Sequence, residues 1–204
     1  SVAGYRDVGN ARLGCVPSSS AIPLAVRRAQ DMFVLMFLLR GLPFVDLAYL
    51  RKSDLRDNVI TYRRRKTGRP LSVTLTPEAL ELLKKYMNRD SHSPYLFSLL
   101  KSGEGTKEAY REYQLALRSF NQQLTLLGEV LGLNDKLSSY TARHTWATTA
   151  YYCEIHPGII SEAMGHSSIK VTETYLKPFR NKKIDEANNQ VIDFVKHSIA
   201  GVVA

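Results

Sequence analysis

The chain has 204 residues, with 28 Lys plus Arg against 19 Asp plus Glu, a formal charge of +9, and 44% hydrophobic residues. This composition argues for one ordinary domain with a real core and against disorder. The longest apolar stretch, Met32 to Leu39, is too short to span a bilayer, no secretory signal pattern stands at the start, and Cys15 and Cys153 fit neither a disulfide framework nor a zinc signature.

A reducing, intracellular setting is therefore expected, and the start at Ser1 suggests a fragment whose true N-terminus is missing. The charge is unevenly spread. Residues 1–102 hold 17 basic and 8 acidic side chains, whereas residues 103–204 hold 11 of each. The densest basic run is Arg63, Arg64, Arg65, Lys66 and Arg69, behind Arg51, Lys52 and Arg56. A concentrated field of this kind attracts polyanions, nucleic acid first; no amphipathic basic helix accompanies it to favour a membrane surface.

Taken in chain order, residues 1–20 read as a linker or the tail of something upstream. Ile22 to Leu39 has strong apolar helical periodicity and predicts a central helix, ended by Gly41. Pro43 suits the first turn of a short helix to Leu50. Residues 58–64 and 70–75 alternate as two strands around Lys66-Thr67-Gly68-Arg69, a hairpin with a basic tip. Thr76-Pro77-Glu78 reads as an N-cap with Pro at the first helical position, opening a helix to about Asn88. Helical periodicity returns over Lys107–Leu131, Thr141–Cys153, Ile159–Met164 and from Val171 through the tail. The expectation is an α+β domain, mainly α-helical, with a small antiparallel hairpin or sheet, no βαβ alternation and no Gly-rich phosphate loop.

Three separated segments carry candidate chemistry. They are Arg65-Lys66-Thr67-Gly68 at the hairpin tip, Tyr140-Thr141-Ala142-Arg143-His144, and Met164-Gly165-His166 with Tyr175 nine residues beyond His166. Each is common alone. Their order and spacing, with Leu-Ala-Tyr-Leu-Arg-Lys-Ser-Asp-Leu (47–55) ahead of the hairpin, resemble the catalytic domain of the tyrosine recombinase (phage integrase) family over roughly residues 21–179.

The resemblance implies metal-free cleavage of a DNA phosphodiester, which needs a nucleophile on phosphorus, cationic donors for the non-bridging oxygens and an acid for the departing 5′-oxygen. It assigns Tyr175 as nucleophile, Arg143 as a phosphate-binding guanidinium, Lys66 as the acid and His166 as a hydrogen-bond donor to the phosphate. Arg63, Arg64, Arg65, Arg69 and Lys52 would grip the DNA backbone. Two positions depart from the family pattern. Tyr140 stands where the family has His, and a phenol with a pKa near 10 is a poor general base, which leaves it a positioning role. Gly41-Leu42-Pro43 replaces Gly-Leu-Arg, so the first catalytic arginine is absent from its own position. Arg40 is the nearest compensating donor, although it can equally serve to cap the preceding helix. Asp46 would brace a catalytic arginine, and His144 would be structural. The two departures together look like the branch of integrases carried by mobile elements of anaerobic gut bacteria.

The implied function is site-specific recombination through a 3′-phosphotyrosyl intermediate, without metal or cofactor, in the bacterial cytoplasm. Double-stranded DNA would be the partner, with tetramers on DNA and monomers in isolation. Residues 21–180 would form the catalytic domain and residues 181–204 an amphipathic tail that docks on a neighbouring protomer or packs on its own core. A catalytically inactive DNA-binding module and a type IB topoisomerase are the alternatives.

Overall fold

Apolar side chains recur along Leu24–Leu38 on more than one face, and this helix, α1, becomes the centre of the molecule. The computed structural model describes residues 22–174 and 185–193. In it α1 packs against three other helices: α3 (Pro77–Tyr86), α4 (Lys107–Val130) and α5 (Thr141–Tyr152). Val26, Ala29, Met32, Leu35 and Met36 are the buried positions, at the spacing a helix needs to keep one side inward. The short α2 (Phe44–Tyr49) adds Phe44, whose ring stacks on Phe120 of α4 with centroids 4.7 Å apart.

The expected N-cap forms, with the Thr76 hydroxyl accepting from the Ala79 amide at the start of α3, and the structure adds a second, Thr106 accepting from Ala109 at the start of α4. The sheet has three antiparallel strands, β1 (Leu55–Arg56), β2 (Val59–Arg63) and β3 (Pro70–Thr74), in that spatial order. The sequence reading anticipated β2 and β3 but not β1. Asp57 and Asn58 both take positive φ, the backbone of a two-residue hairpin turn, and this turn folds Leu55 back onto Ile60. The last part of the described chain is helical: α6 (Pro157–Ala163), α7 (Ile169–Glu173) and α8 (185–193). All nine residues of α8 are exposed, including Val191 and Ile192. Among the described residues no helix is long and apolar enough to cross a membrane.

The turn between α1 and α2 positions the site. Arg40 (φ 60) and Gly41 (φ 68) are consecutive left-handed residues, and the Leu42 amide bonds back to the Met36 carbonyl. A Cβ at Gly41 would lie 2.8 Å from the Cα of Arg143, so the turn rests directly on the backbone of α5. Replacing Gly41 by Ala therefore combines left-handed strain with a clash against backbone, and should cost about 2–4 kcal/mol of stability. Urea unfolding of the Gly41→Ala variant measures this; a loss below about 0.5 kcal/mol would contradict the close approach.

Candidate active site

Arg143 sits in the first turn of α5 and is 3% exposed. Its Nη1 donates to the Gly41 carbonyl at 2.9 Å and its Nη2 to the Met164 carbonyl at 2.8 Å. The guanidinium thus ties the turn after α1 to the turn after α6, although 102 residues separate it from Gly41. Carbonyl oxygens solvate a buried cation without cancelling its charge.

His166 follows immediately behind Met164 and Gly165. Its amide bonds to the Ser161 carbonyl, and its Nδ1 lies 2.8 Å from the Thr172 hydroxyl of α7, with both side chains buried. Burial, then the charges of Arg143, Arg64 and Lys66, push the imidazole down to about 4, which keeps it neutral at neutral pH. The charges of three cations from two separate elements are therefore felt at this ring. Tyr175 lies outside the described residues; α7, the helix that holds His166 through Thr172, ends two residues before it.

The hairpin residues divide by face. Ile60, Tyr62 and Arg64 point inward, and Thr61, Arg63 and Arg65 outward, following the two-residue period of a strand. Arg64, grouped in the sequence reading with the solvent-facing basic run, is 6% exposed. Its Nη1 donates to Asp46 Oδ2 at 2.6 Å, while Asp46 Oδ1 accepts the Arg65 amide at 3.0 Å. Asp46 does brace an arginine, and that arginine is Arg64. Arg40 is half-buried, and its charge is felt at Tyr62 alongside those of Arg64 and Arg143. Burial, followed by Asp46, raises the Tyr62 phenol, so it stays a neutral hydroxyl among these cations.

Lys66 is exposed at the hairpin tip, with Arg63 donating to the Gly68 carbonyl at 3.2 Å and Arg69 exposed beside it. Arg65 is held differently. Its guanidinium lies 3.8 Å above the Tyr49 ring and pairs with Glu104 at 2.5 Å, and Glu104 pairs with Arg51 as well. The hydrogen bond from Arg65 leads the effects that hold the Glu104 carboxyl below its usual range. Lys52 donates to the Asp90 carbonyl. Tyr140 immediately precedes α5 and is 56% exposed, and His144, one turn on, is exposed as well. The sequence reading had no role for Tyr62, Thr67, Glu104 or Thr172.

The match to known proteins follows the same segments. Residues 23–182 fit the model of the phage integrase family. The chain belongs to this family. It is 28% identical over 149 residues to the tyrosine recombinase XerA of Pyrococcus furiosus, covering 72% of this chain and 49% of that protein. It is also 28% identical over 134 residues to XerC of Haemophilus ducreyi, covering 63% and 42%. The chain thus spans about half the length of these curated relatives. Among solved structures, a crystal structure of XerA recombinase aligns with a TM-score of 0.55 at 21% identity, over 81% of this chain and 61% of that one. The Tn1549 transposon integrase in complex with transposon right end DNA aligns with a TM-score of 0.59 at 15% identity, over 81% and 59%. The mainly helical α+β arrangement is the tyrosine recombinase catalytic-domain fold.

The Asp46–Arg64 pair is buried at both ends, so removing either partner strands a charge or a polar group away from water. Asp46→Asn and Arg64→Met should each lower stability by about 3 kcal/mol, and the double variant should lose much less than the two losses combined. A urea-unfolding double-mutant cycle measures the coupling, and additive losses would contradict it.

Proposed function

We propose that this chain is the catalytic part of a site-specific DNA recombinase that cleaves and rejoins strands through a 3′-phosphotyrosyl intermediate. The observation that carries this reading is the buried Arg143 bonded to the Met164 carbonyl of the turn that supplies His166, one short helix ahead of Tyr175, with the charges of Arg143, Arg64 and Lys66 felt at that ring. A cluster of fixed cations suits a phosphoryl group whose charge grows in the transition state.

In the proposed step the Tyr175 oxygen attacks the scissile phosphorus and forms the new P–O bond, giving its phenolic proton to water. The bond to the 5′-oxygen breaks, and Lys66 protonates that oxygen as it leaves. Arg143 and Arg64 bind the non-bridging oxygens. His166, with Thr172 donating to Nδ1, carries its proton on Nε2 and offers it to the same phosphate. Attack by a free 5′-hydroxyl reverses the sequence and reseals the strand, because the phosphotyrosyl bond conserves the energy of the bond it replaced. No metal or cofactor enters this scheme.

Arg64 suits the place of the missing family arginine better than Arg40. Its charge acts on His166 together with those of Arg143 and Lys66, it is buried, and it is braced by a carboxylate. Arg40 serves at the rim, beside Tyr62. Tyr140, one turn ahead of Arg143, positions rather than accepts a proton. Exposed Arg63 and Arg69, half-buried Lys52 and Arg65 on its Tyr49 platform bind the backbone of double-stranded DNA, and their contacts make binding fall steeply with salt. The fully exposed α8 supports a tail that docks on a neighbouring protomer, in assemblies that form on paired sites in the bacterial cytoplasm. The pairing of Gly41-Leu42-Pro43 with Tyr140 supports a mobile-element branch.

A pool of nicked duplexes with randomised cores, resolved on denaturing gels, tests the proposal. The chain should form an SDS-resistant, protease-sensitive DNA adduct that disappears in Tyr175→Phe while binding persists. Arg64→Ala should slow adduct formation by about 100-fold or more, and Arg40→Ala by less than about tenfold. Binding without an adduct would make the chain a DNA-binding module; an adduct that survives Tyr175→Phe would move the nucleophile elsewhere.

A further inference from the structure

The acid assigned to Lys66 stands on a flexible stem at an exposed hairpin tip, and such a stem loses rotamer entropy when it is fixed against a substrate. The precision of its delivery depends on where the tip itself is held. Within the hairpin the Arg64 amide bonds to the Arg69 carbonyl at 2.8 Å, and the Gly68 amide returns to the Arg64 carbonyl at 2.7 Å. These bonds shape the turn but do not tie it to the rest of the site.

Two contacts do. The Thr67 hydroxyl donates to the Gly165 carbonyl at 3.1 Å, across 98 residues. Leu71 of β3 packs over the same residue so closely that a Cβ on Gly165 would lie 2.9 Å from the Leu71 Cδ1. Gly165 lies between Met164, whose carbonyl accepts from Arg143, and His166. A single three-residue turn therefore receives the phosphate-binding guanidinium at its first residue, the hairpin tip at its second, and supplies the imidazole at its third.

We infer that Thr67 is a positioning residue for the proton transfer: its hydroxyl latches the hairpin tip to the Gly165 carbonyl and so aims Lys66 at the 5′-oxygen leaving the phosphate that Arg143 and His166 hold. This rests on the strand-cleavage reading above. It differs from a purely structural role in one consequence. Only the step in which the leaving oxygen takes a proton depends on the latch, while phosphate binding and attack by Tyr175 do not.

The test uses the nicked duplexes of the adduct assay, made in two forms: with the natural bridging 5′-oxygen, and with sulfur in its place, whose thiolate departs without a proton. Thr67→Val keeps the shape of the side chain and removes the donor. It should slow adduct formation on the oxygen substrate by about tenfold, the rate equivalent of one ordinary hydrogen bond, and stay within about twofold of wild type on the sulfur substrate. Thr67→Ser should restore the oxygen rate. Lys66→Ala should show a deeper loss on oxygen and the same rescue by sulfur. Equal losses of Thr67→Val on both substrates would assign Thr67 to structure or to DNA binding, and unchanged rates on both would make the latch idle; either overturns the inference while cleavage by the wild type stands. Wild type that forms no adduct with either duplex overturns the strand-cleavage reading and the latch with it.

Discussion

The buried guanidinium of Arg143, held between the carbonyls of Gly41 and Met164, is the constraint on which the rest of the architecture depends. One carbonyl belongs to the turn that ends α1 and the other to the turn that ends α6, so one side chain holds two otherwise separate parts of the fold in register. The absence of a side chain at Gly41 is what permits this, because any Cβ would collide with the Cα of Arg143. Arg40 and Gly41 both take the left-handed backbone, a cost of order 1–2 kcal/mol for the non-glycine residue, which the packing around it offsets.

Around this anchor the charges are arranged unevenly. Among the described residues the one buried carboxylate is Asp46, and it is committed to Arg64. The Gly41 and Met164 carbonyls accept from Arg143, and Lys66 stands at the exposed tip. The charges of Arg143, Arg64 and Lys66 together make a positive field at the His166 ring. The low proton affinity of His166 is the measurable imprint of that field and of burial acting together. Outside the pocket, Glu104 plays the opposite part. It pairs with both Arg51 and Arg65 on the surface, offsetting one of their two charges, and so ties the hairpin turn to Arg51.

Much of this was legible in the residues. The amphipathic runs between Leu24 and Ala163, the N-cap at Thr76 and the basic hairpin appear with boundaries shifted by one or two residues, because caps and periodicity are local properties. Strand β1 was missed because two residues carry no alternation; the Asp57-Asn58 turn was the available signal. Arg64 was read as one of a solvent-facing run because charge density was weighed before period. Counting by twos from Ile60 puts Tyr62 and Arg64 inward, and an aspartate inside the apolar stretch Phe44-Val45-Asp46-Leu47 calls for a buried cation. The carbonyl partners of Arg143 and the latch of Thr67 on Gly165 were not legible. They join residues about 20 to 100 positions apart through main-chain atoms, which leave no trace in residue type.

The most direct measurement of the central claim is a crystal structure of the chain with vanadate and the two DNA fragments that flank a cleavage point, a mimic of the pentavalent state. The account predicts vanadium bonded to the Tyr175 oxygen, with its equatorial oxygens within about 3 Å of donors on Arg143, Arg64 and His166 and the Lys66 amine at the 5′-oxygen. Vanadate bound to another nucleophile, or a Tyr175 oxygen held away from Arg143 while DNA occupies the basic face, would contradict it.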